Sequence, residues 1–232
     1  LADDKKVGTL VEVNSETDFV AKNDEFKSFV ANVAKIVAEQ NPADVEALKA
    51  LAYEDKTVGE ALTALIAKIG ENMSIRRFAR VAGNVCSYTH GEGRIGVLVE
   101  TEGALNDEAY TAARDVAMQV AAINPLYVSK EVVPAADVEK EKAIIVAQIK
   151  EDPKNAGKPD AIIEKMVGGK INKFFEQNCL LQQEFVKDSE FKVEAYLASK
   201  GVKMTNFIRF EKGEGLQKKE ENFAEEVMKQ IK

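Results

Sequence analysis

Histidine occurs once in this sequence, at position 90, tryptophan is absent, cysteine occurs twice and proline five times. Each scarcity excludes something. One histidine cannot build a histidine-rich metal centre. No nucleophile or second proton-transfer group stands at a telling distance from it, so a hydrolase using Asp18 and His90 is a weak reading. Cys86 and Cys179 have no short metal-ligand spacing, and two cysteines make no disulfide framework; buried, reduced thiols are expected instead. No apolar run approaches the roughly 18 residues of a membrane span, and Leu1-Ala2-Asp3-Asp4 does not resemble a signal peptide. The phosphate-cradling G-x-x-x-x-G-K-[ST] loop is missing, so neither a bound nucleotide nor a cofactor is expected. Cations are in deficit: 39 acidic residues against 32 basic ones leave a net charge of −7, which argues against a nucleic-acid or anionic-membrane surface. The expected compartment is the cytoplasm.

What is present suits a globular chain. Apolar residues make up 45% and charged ones 31% of 232 residues, enough for a substantial core in one large or two small domains. Val7, Leu10, Val11 and Val13 suggest a strand rich in β-branched residues. Phe26, Phe29, Val30, Val33, Ala34 and Val37 then recur at helical spacing, and Asn41-Pro42 ends that helix. Segments 45–51 and 58–69 read as helices, the second stopped by Gly70. Segment 75–81 is strand-like, with Arg76, Arg77 and Arg80 interleaved. Segments 85–89 and 94–101 read as a hairpin turned by His90-Gly91-Glu92-Gly93. Gly91 to Gly96 spells G-x-G-x-x-G, but a dinucleotide loop must open into a helix, and here a strand follows.

The chain echoes itself. Val7-Gly8-Thr9-Leu10-Val11-Glu12 returns as Ile95-Gly96-Val97-Leu98-Val99-Glu100. After each comes an Asp-Glu pair (24–25, then 107–108), an amphipathic helix and an Asn-Pro stop (41–42, then 124–125). The pattern predicts an α+β fold of two related halves, each a small antiparallel sheet backed by helices. Residues 1–84 form the expected first half and 85–212 the second. The second carries an inserted helical hairpin over about 137–177, its seam drawn from Val138, Ile145 and Ile149 facing Ile163, Met166 and Phe174. Residues 213–232 read as a C-terminal helical module, with Phe223, Val227 and Ile231 on one face.

The stretch from Val13 to Lys22, V-N-S-E-T-D-F-V-A-K, joins the first strand to the first long helix. Ser, Thr and Asp at such a junction are capping residues. Phe19 is the odd member: it either folds back as a hydrophobic staple or is offered to something else. The residues alone leave both open.

Four segments carry a resemblance. They are V-E-V-N-S-E-T-D-F-V-A-K (11–22), K-I-G-E-N-M-S-I-R-R (68–77), H-G-E-G-R-I-G-V-L-V (90–99) and F-I-R-F-E-K-G-E-G (207–215). Together, and in this order, they resemble bacterial elongation factor Ts. The family often carries Cys where Ser15 stands. The resemblance implies a non-enzymatic nucleotide-exchange factor that binds elongation factor Tu and promotes GDP release by disturbing its magnesium and phosphate site. It implies partner contacts at Thr17, Asp18, Phe19, Val20, Ile69, Gly70 and His90. It also implies that the 137–177 hairpin is a coiled-coil arm able to serve in homodimerisation. The family's small N-terminal helical domain has no counterpart here. The alternative is a structural module that oligomerises through the hairpin, with T-D-F-V only capping a helix.

Overall fold

The β-branched opening run does form a strand, β1 (Val7–Ser15), and the rest of the chain is built around it. The computed structural model describes residues 1–2, 4–103, 106–155 and 157–216. In order follow α1 (Asp18–Lys22), α2 (Asp24–Gln40), α3 (Val45–Ala50), the two-residue strands β2 (Ala52–Tyr53) and β3 (Lys56–Thr57), α4 (Val58–Ile69) and β4 (Met73–Ala82). Then come β5 (Asn84–His90), β6 (Ile95–Glu102), α5 (Asp107–Ile123), α6 (Ala135–Glu151), α7 (Asp160–Asn178), β7 (Glu184–Phe185), β8 (Asp188–Lys192), α8 (Val193–Ser199) and β9 (Lys203–Glu211). The protein is a mixed α+β fold with small antiparallel sheets. The helix expected around Phe223–Ile231 lies outside the described residues.

β1 pairs with β4 in one sheet, and β5, β6 and β9 form another in that spatial order. The ladders of β1 with β4 and of β6 with β9 both slip by a bulge, after Glu12 and after Glu100. These are matching positions of the echoed hexapeptide. The helices that follow match as well. α2 and α5 each span 17 residues; Asn23 and Asn106 cap their starts, and Asn41 and Asn124 close them in the left-handed region at φ 47° and 52°. Asparagine tolerates that conformation better than most residues, and the proline after it cannot continue the helix.

Burial falls into separate clusters. Phe26, Phe29, Val33 and Val37 of α2 pack with Leu48, Val58, Leu62, Leu65, Met73 and Ile75. The apolar face of α5 packs instead on Cys86, Val97 and Val99, with Leu180, Phe185 and Leu197 beneath. Both cysteines are free and buried, and burial pushes each thiol up to about 11. The third cluster belongs to α6 and α7: Ile145, Ile149 and Ile171, flanked by Ile163, Met166, Val167 and Phe175. Phe175, not Phe174, joins this seam, because it stands four residues from Ile171 and so on the same helical face. Among the described residues no helix is long and apolar enough to cross a membrane.

The G-x-G-x-x-G letters turn a hairpin. Gly91, Glu92 and Gly93 all take positive φ (59°, 54° and 93°), the Arg94 N–H donates to the Gly91 carbonyl at 3.1 Å, and β6 begins directly afterwards.

Candidate partner-binding site

α1 is only five residues long, and its sequence accounts for it. Thr17 caps the start in extended backbone, its hydroxyl accepting from the Val20 N–H at 3.4 Å. Asp18 in the first turn and Lys22 in the last suit the helix dipole. Asn23 stops α1 and caps α2, its side chain accepting from the Glu25 and Phe26 N–H groups. Adjacent residues on a helix point 100° apart, and the two apolar residues of α1 separate accordingly. Val20 is 5% exposed and joins the α2 cluster, whereas Phe19 is 88% exposed. Phe19 is therefore neither a staple nor a core residue.

Distant parts of the chain hold this helix. Glu71, just past the end of α4, accepts from the Thr17 N–H at 3.1 Å and from the Thr17 hydroxyl at 2.8 Å. Ser15 donates its hydroxyl to the Thr17 carbonyl at 3.0 Å. Lys212 donates to Asp18 at 2.7 Å; that hydrogen bond and the ammonium charge hold the Asp18 carboxyl below the usual carboxylate range. Lys22 lies 3.8 Å from Glu92 in the β5–β6 turn.

Three of the expected regions thus meet. Gly70 ends α4 in the left-handed region at φ 83°, half-buried Ile69 precedes it, and the Thr17–Glu71 hydrogen bonds tie this corner to α1. His90 ends β5, exposed, its Nδ1 3.0 Å from the Tyr88 hydroxyl. Thr17, Asp18, Phe19, Gly70 and His90 are exposed. Val20 supports the motif from beneath. Among the described residues, no three of His, Cys, Asp and Glu gather as a metal site would require.

Under the site runs a buried ionic network. Glu12 on β1 is 6% exposed and accepts from Arg76 at 2.9 Å, from Arg77, and from the Gly213 N–H at 3.0 Å. Burial by itself would raise the Glu12 carboxyl, but the hydrogen bonds from Arg76, Gly213 and Arg77 outweigh it and hold the group below its ordinary value. Arg76 and Arg77 also grip Glu214, through its carbonyl at 2.6 Å and its carboxylate at 3.1 Å. Residues 211–215 are thereby strapped across β4, which delivers Lys212 to Asp18.

Residues 16–214 match the profile of a protein family described as Elongation factor TS. The chain belongs to this family. A protein named Elongation factor Ts from Clostridium kluyveri is 50% identical over 244 aligned residues, which cover 100% of this chain and 78% of that protein. Its namesake from Alkalilimnicola ehrlichii is 50% identical, covering 100% and 77%, and that from Clostridium tetani 46%, covering 100% and 79%. For this member of the elongation factor Ts family, sequence reasoning found the exposed motif and missed what holds it. Glu71, Lys212 and Glu12 went unread, although Glu71 sits inside the quoted K-I-G-E-N segment and Lys212 inside F-I-R-F-E-K.

Proposed function

We propose that the chain is a guanine-nucleotide exchange factor that binds elongation factor Tu and promotes GDP release by disturbing the magnesium and phosphate site, with Phe19 as an apolar wedge. The observation that carries this reading is the 88% exposure of Phe19 beside a buried Val20. Single apolar residues are common on protein surfaces; Phe19 stands out as the most exposed large apolar side chain among the described residues, on a helix held in place through Thr17 and Asp18. Thr17, Asp18, Gly70 and His90 form the polar surround, and Ile69 with Val20 backs it. No bond is made or broken in this role, so the chain is not an enzyme and takes no cofactor.

Magnitudes limit what the wedge does. Burying one phenylalanine is worth about 1.5–3 kcal/mol, whereas nanomolar nucleotide binding corresponds to about 12 kcal/mol. Phe19 cannot displace GDP by burial alone. It acts by distorting the phosphate contacts, while a wide interface supplies the remaining affinity. By linkage, GDP must weaken the factor's binding as much as the factor weakens GDP's.

The finer architecture belongs to the same reading. Residues 1–84 and 85–212 are two related halves, supported by their matching bulges and asparagine-capped helices. The 137–177 hairpin is a coiled-coil arm, supported by its own apolar seam, and exposed Ile144 and Ile162 suit it to contact with a second copy. The place of work is the cytoplasm, with no nucleic acid or membrane involved.

The test is release of a fluorescent GDP from purified elongation factor Tu, followed by stopped flow with and without this chain. Acceleration that saturates with factor concentration is expected. An unchanged rate at saturating, demonstrably bound factor would leave the chain a structural module.

A further inference from the structure

We propose that Glu71 and Lys212 are positioning residues that clamp the start of α1 at Thr17 and at Asp18, so that Phe19 already points outward before any partner arrives. The inference rests on Phe19 being the wedge. It adds that the wedge is pre-set by two residues far away in sequence.

A helix of five residues has no stability of its own; isolated helices below about 12–15 residues are marginal even in favourable sequences. α1 also has little core to lean on, since Val20 is its one buried side chain. Its fixed position therefore needs outside support, and each of the two residues preceding Phe19 has it. Both carboxylate oxygens of Glu71 meet Thr17, taking its N–H and its O–H together. That occupies a backbone donor ahead of the helix and turns the hydroxyl so that its oxygen faces the Val20 N–H. Asp18 is taken by Lys212.

The two clamps are held independently of what they grip. Glu71 follows directly on Gly70, whose N–H closes α4 on the Ile66 carbonyl at 2.8 Å. The N–H of Lys212 donates to the Arg94 carbonyl at 2.8 Å, and the next residue is fixed by Glu12. Neither support depends on α1, so both can hold it. The two differ in kind. The Lys212–Asp18 pair is exposed and screened by salt, whereas Glu71 grips the backbone and answers less to ionic strength. Glu71 is the main clamp.

A pre-set motif reaches the distorted state without first ordering itself, so the cost it avoids falls on the release step and not on docking. With the clamp removed, the broad interface still forms, but Phe19 is correctly placed only part of the time. The variants are Glu71→Ala and Glu71→Gln, the second keeping one acceptor oxygen for Thr17. Amide hydrogen exchange in the free protein reads the clamp directly. At Val20, Ala21 and Asn23, Glu71→Ala should speed exchange by about tenfold, the scale of ordering one residue's backbone, with Glu71→Gln intermediate. Melting temperature should move by no more than about two degrees, as for a surface change.

Stopped-flow GDP release then separates positioning from contact. Glu71→Ala should lower the maximal accelerated rate by about tenfold, while the half-saturating factor concentration stays within about twofold. Unchanged amide exchange in α1 would overturn the proposal. So would a raised half-saturating concentration with an intact maximal rate, which would make Glu71 a direct interface contact. Faster amide exchange in the variant, together with no stimulation by the unaltered protein, would uphold the clamp and remove the exchange reading.

Discussion

Leu10 occupies the space that a side chain at Gly96 would need: a Cβ there would lie 2.8 Å from Leu10 Cδ2. The converse also holds. A Cβ on Gly8 would lie 3.0 Å from Leu98 Cδ2 and 2.6 Å from Val85 Cγ1. In the echoed hexapeptides, Gly8 corresponds to Gly96 and Leu10 to Leu98, so each copy's leucine covers the other copy's glycine. Neither glycine is among those with positive φ. Space, not backbone conformation, demands them.

The two sites should respond unequally. At Gly8 the obstacle is Val85, fully buried and stiff at χ1; at Gly96 it is the end of half-buried Leu10, which can rotate aside. Gly8→Ala should cost about 1–3 kcal/mol, the usual range for overpacking, and Gly96→Ala clearly less. Urea unfolding of both variants checks the order. Adding Val85→Ala to Gly8→Ala should cost less than the sum of the two changes; strict additivity would place the strain elsewhere.

Glu12 makes stability depend on acid. Its folded carboxyl titrates below the ordinary 4.5, so the unfolded chain holds more protons there as the pH falls. Its contribution is fully present above the unfolded value and is lost as the pH drops below it through the folded value. Glu12→Gln should cost about 2–3 kcal/mol near neutrality, the scale of hydrogen bonds to charged groups, and the gap from the unaltered protein should narrow below pH 4.5. Melting curves at pH 7, 5 and 3.5 test this; a gap that stays constant with pH would mean that the carboxylate charge contributes nothing.

Local signals in the sequence were the readable ones. The echoed strands, the asparagine stops and the two arm helices rest on spacing and capping, which act within a few residues. What failed was anything set by distant partners. Glu71 meets Thr17 across 54 positions, Arg76 meets Glu12 across 64 and Lys212 meets Asp18 across 194, and no local pattern encodes such pairs. Phe19 is instructive: an aromatic among polar residues fits burial or display equally, and only resemblance pointed outward before the geometry did. Val20 and Phe19 are neighbours in the same motif, yet one helical step separates a buried face from an exposed one. The same 100° step misplaced Phe174 for Phe175.

The arm should be removable if cut at the right place. Its root is tied by Tyr127: its hydroxyl donates to Asp137 at 2.9 Å, its N–H to the Asn178 carbonyl at 3.1 Å, and its carbonyl accepts from the Leu180 N–H at 2.9 Å. Replacing 140–174 with a short Gly/Ser linker keeps these bonds and removes most of the separate apolar seam. The body should keep its near-UV spectrum and urea midpoint. Replacing 137–177 instead takes Asp137 away and should cost about 1 kcal/mol more, one hydrogen bond's worth. A molten near-UV spectrum from the shorter replacement would show that the arm is part of the core.

Phe19 and Val20 supply the sharpest contrast, because neighbours in sequence should fail in opposite ways. Phe19 is 88% exposed, so Phe19→Ala removes almost no buried surface and should cost well under about 1 kcal/mol of stability. Val20 is 5% exposed within the α2 cluster, so Val20→Ala should cost about 2 kcal/mol through the cavity it leaves. GDP release should reverse the ranking. If Phe19 is the wedge proposed above, the maximal accelerated rate should fall by about tenfold or more in Phe19→Ala, as for a contact made mainly in the distorted state, while binding persists through the remaining interface. Val20→Ala, assayed where it is fully folded, should retain more of the rate than Phe19→Ala. Urea unfolding of the free variants and stopped-flow GDP release, run on the same preparations, decide it. If Phe19→Ala unfolds easily yet stimulates release normally, the exposed ring is no wedge, and the motif serves only to cap its helix.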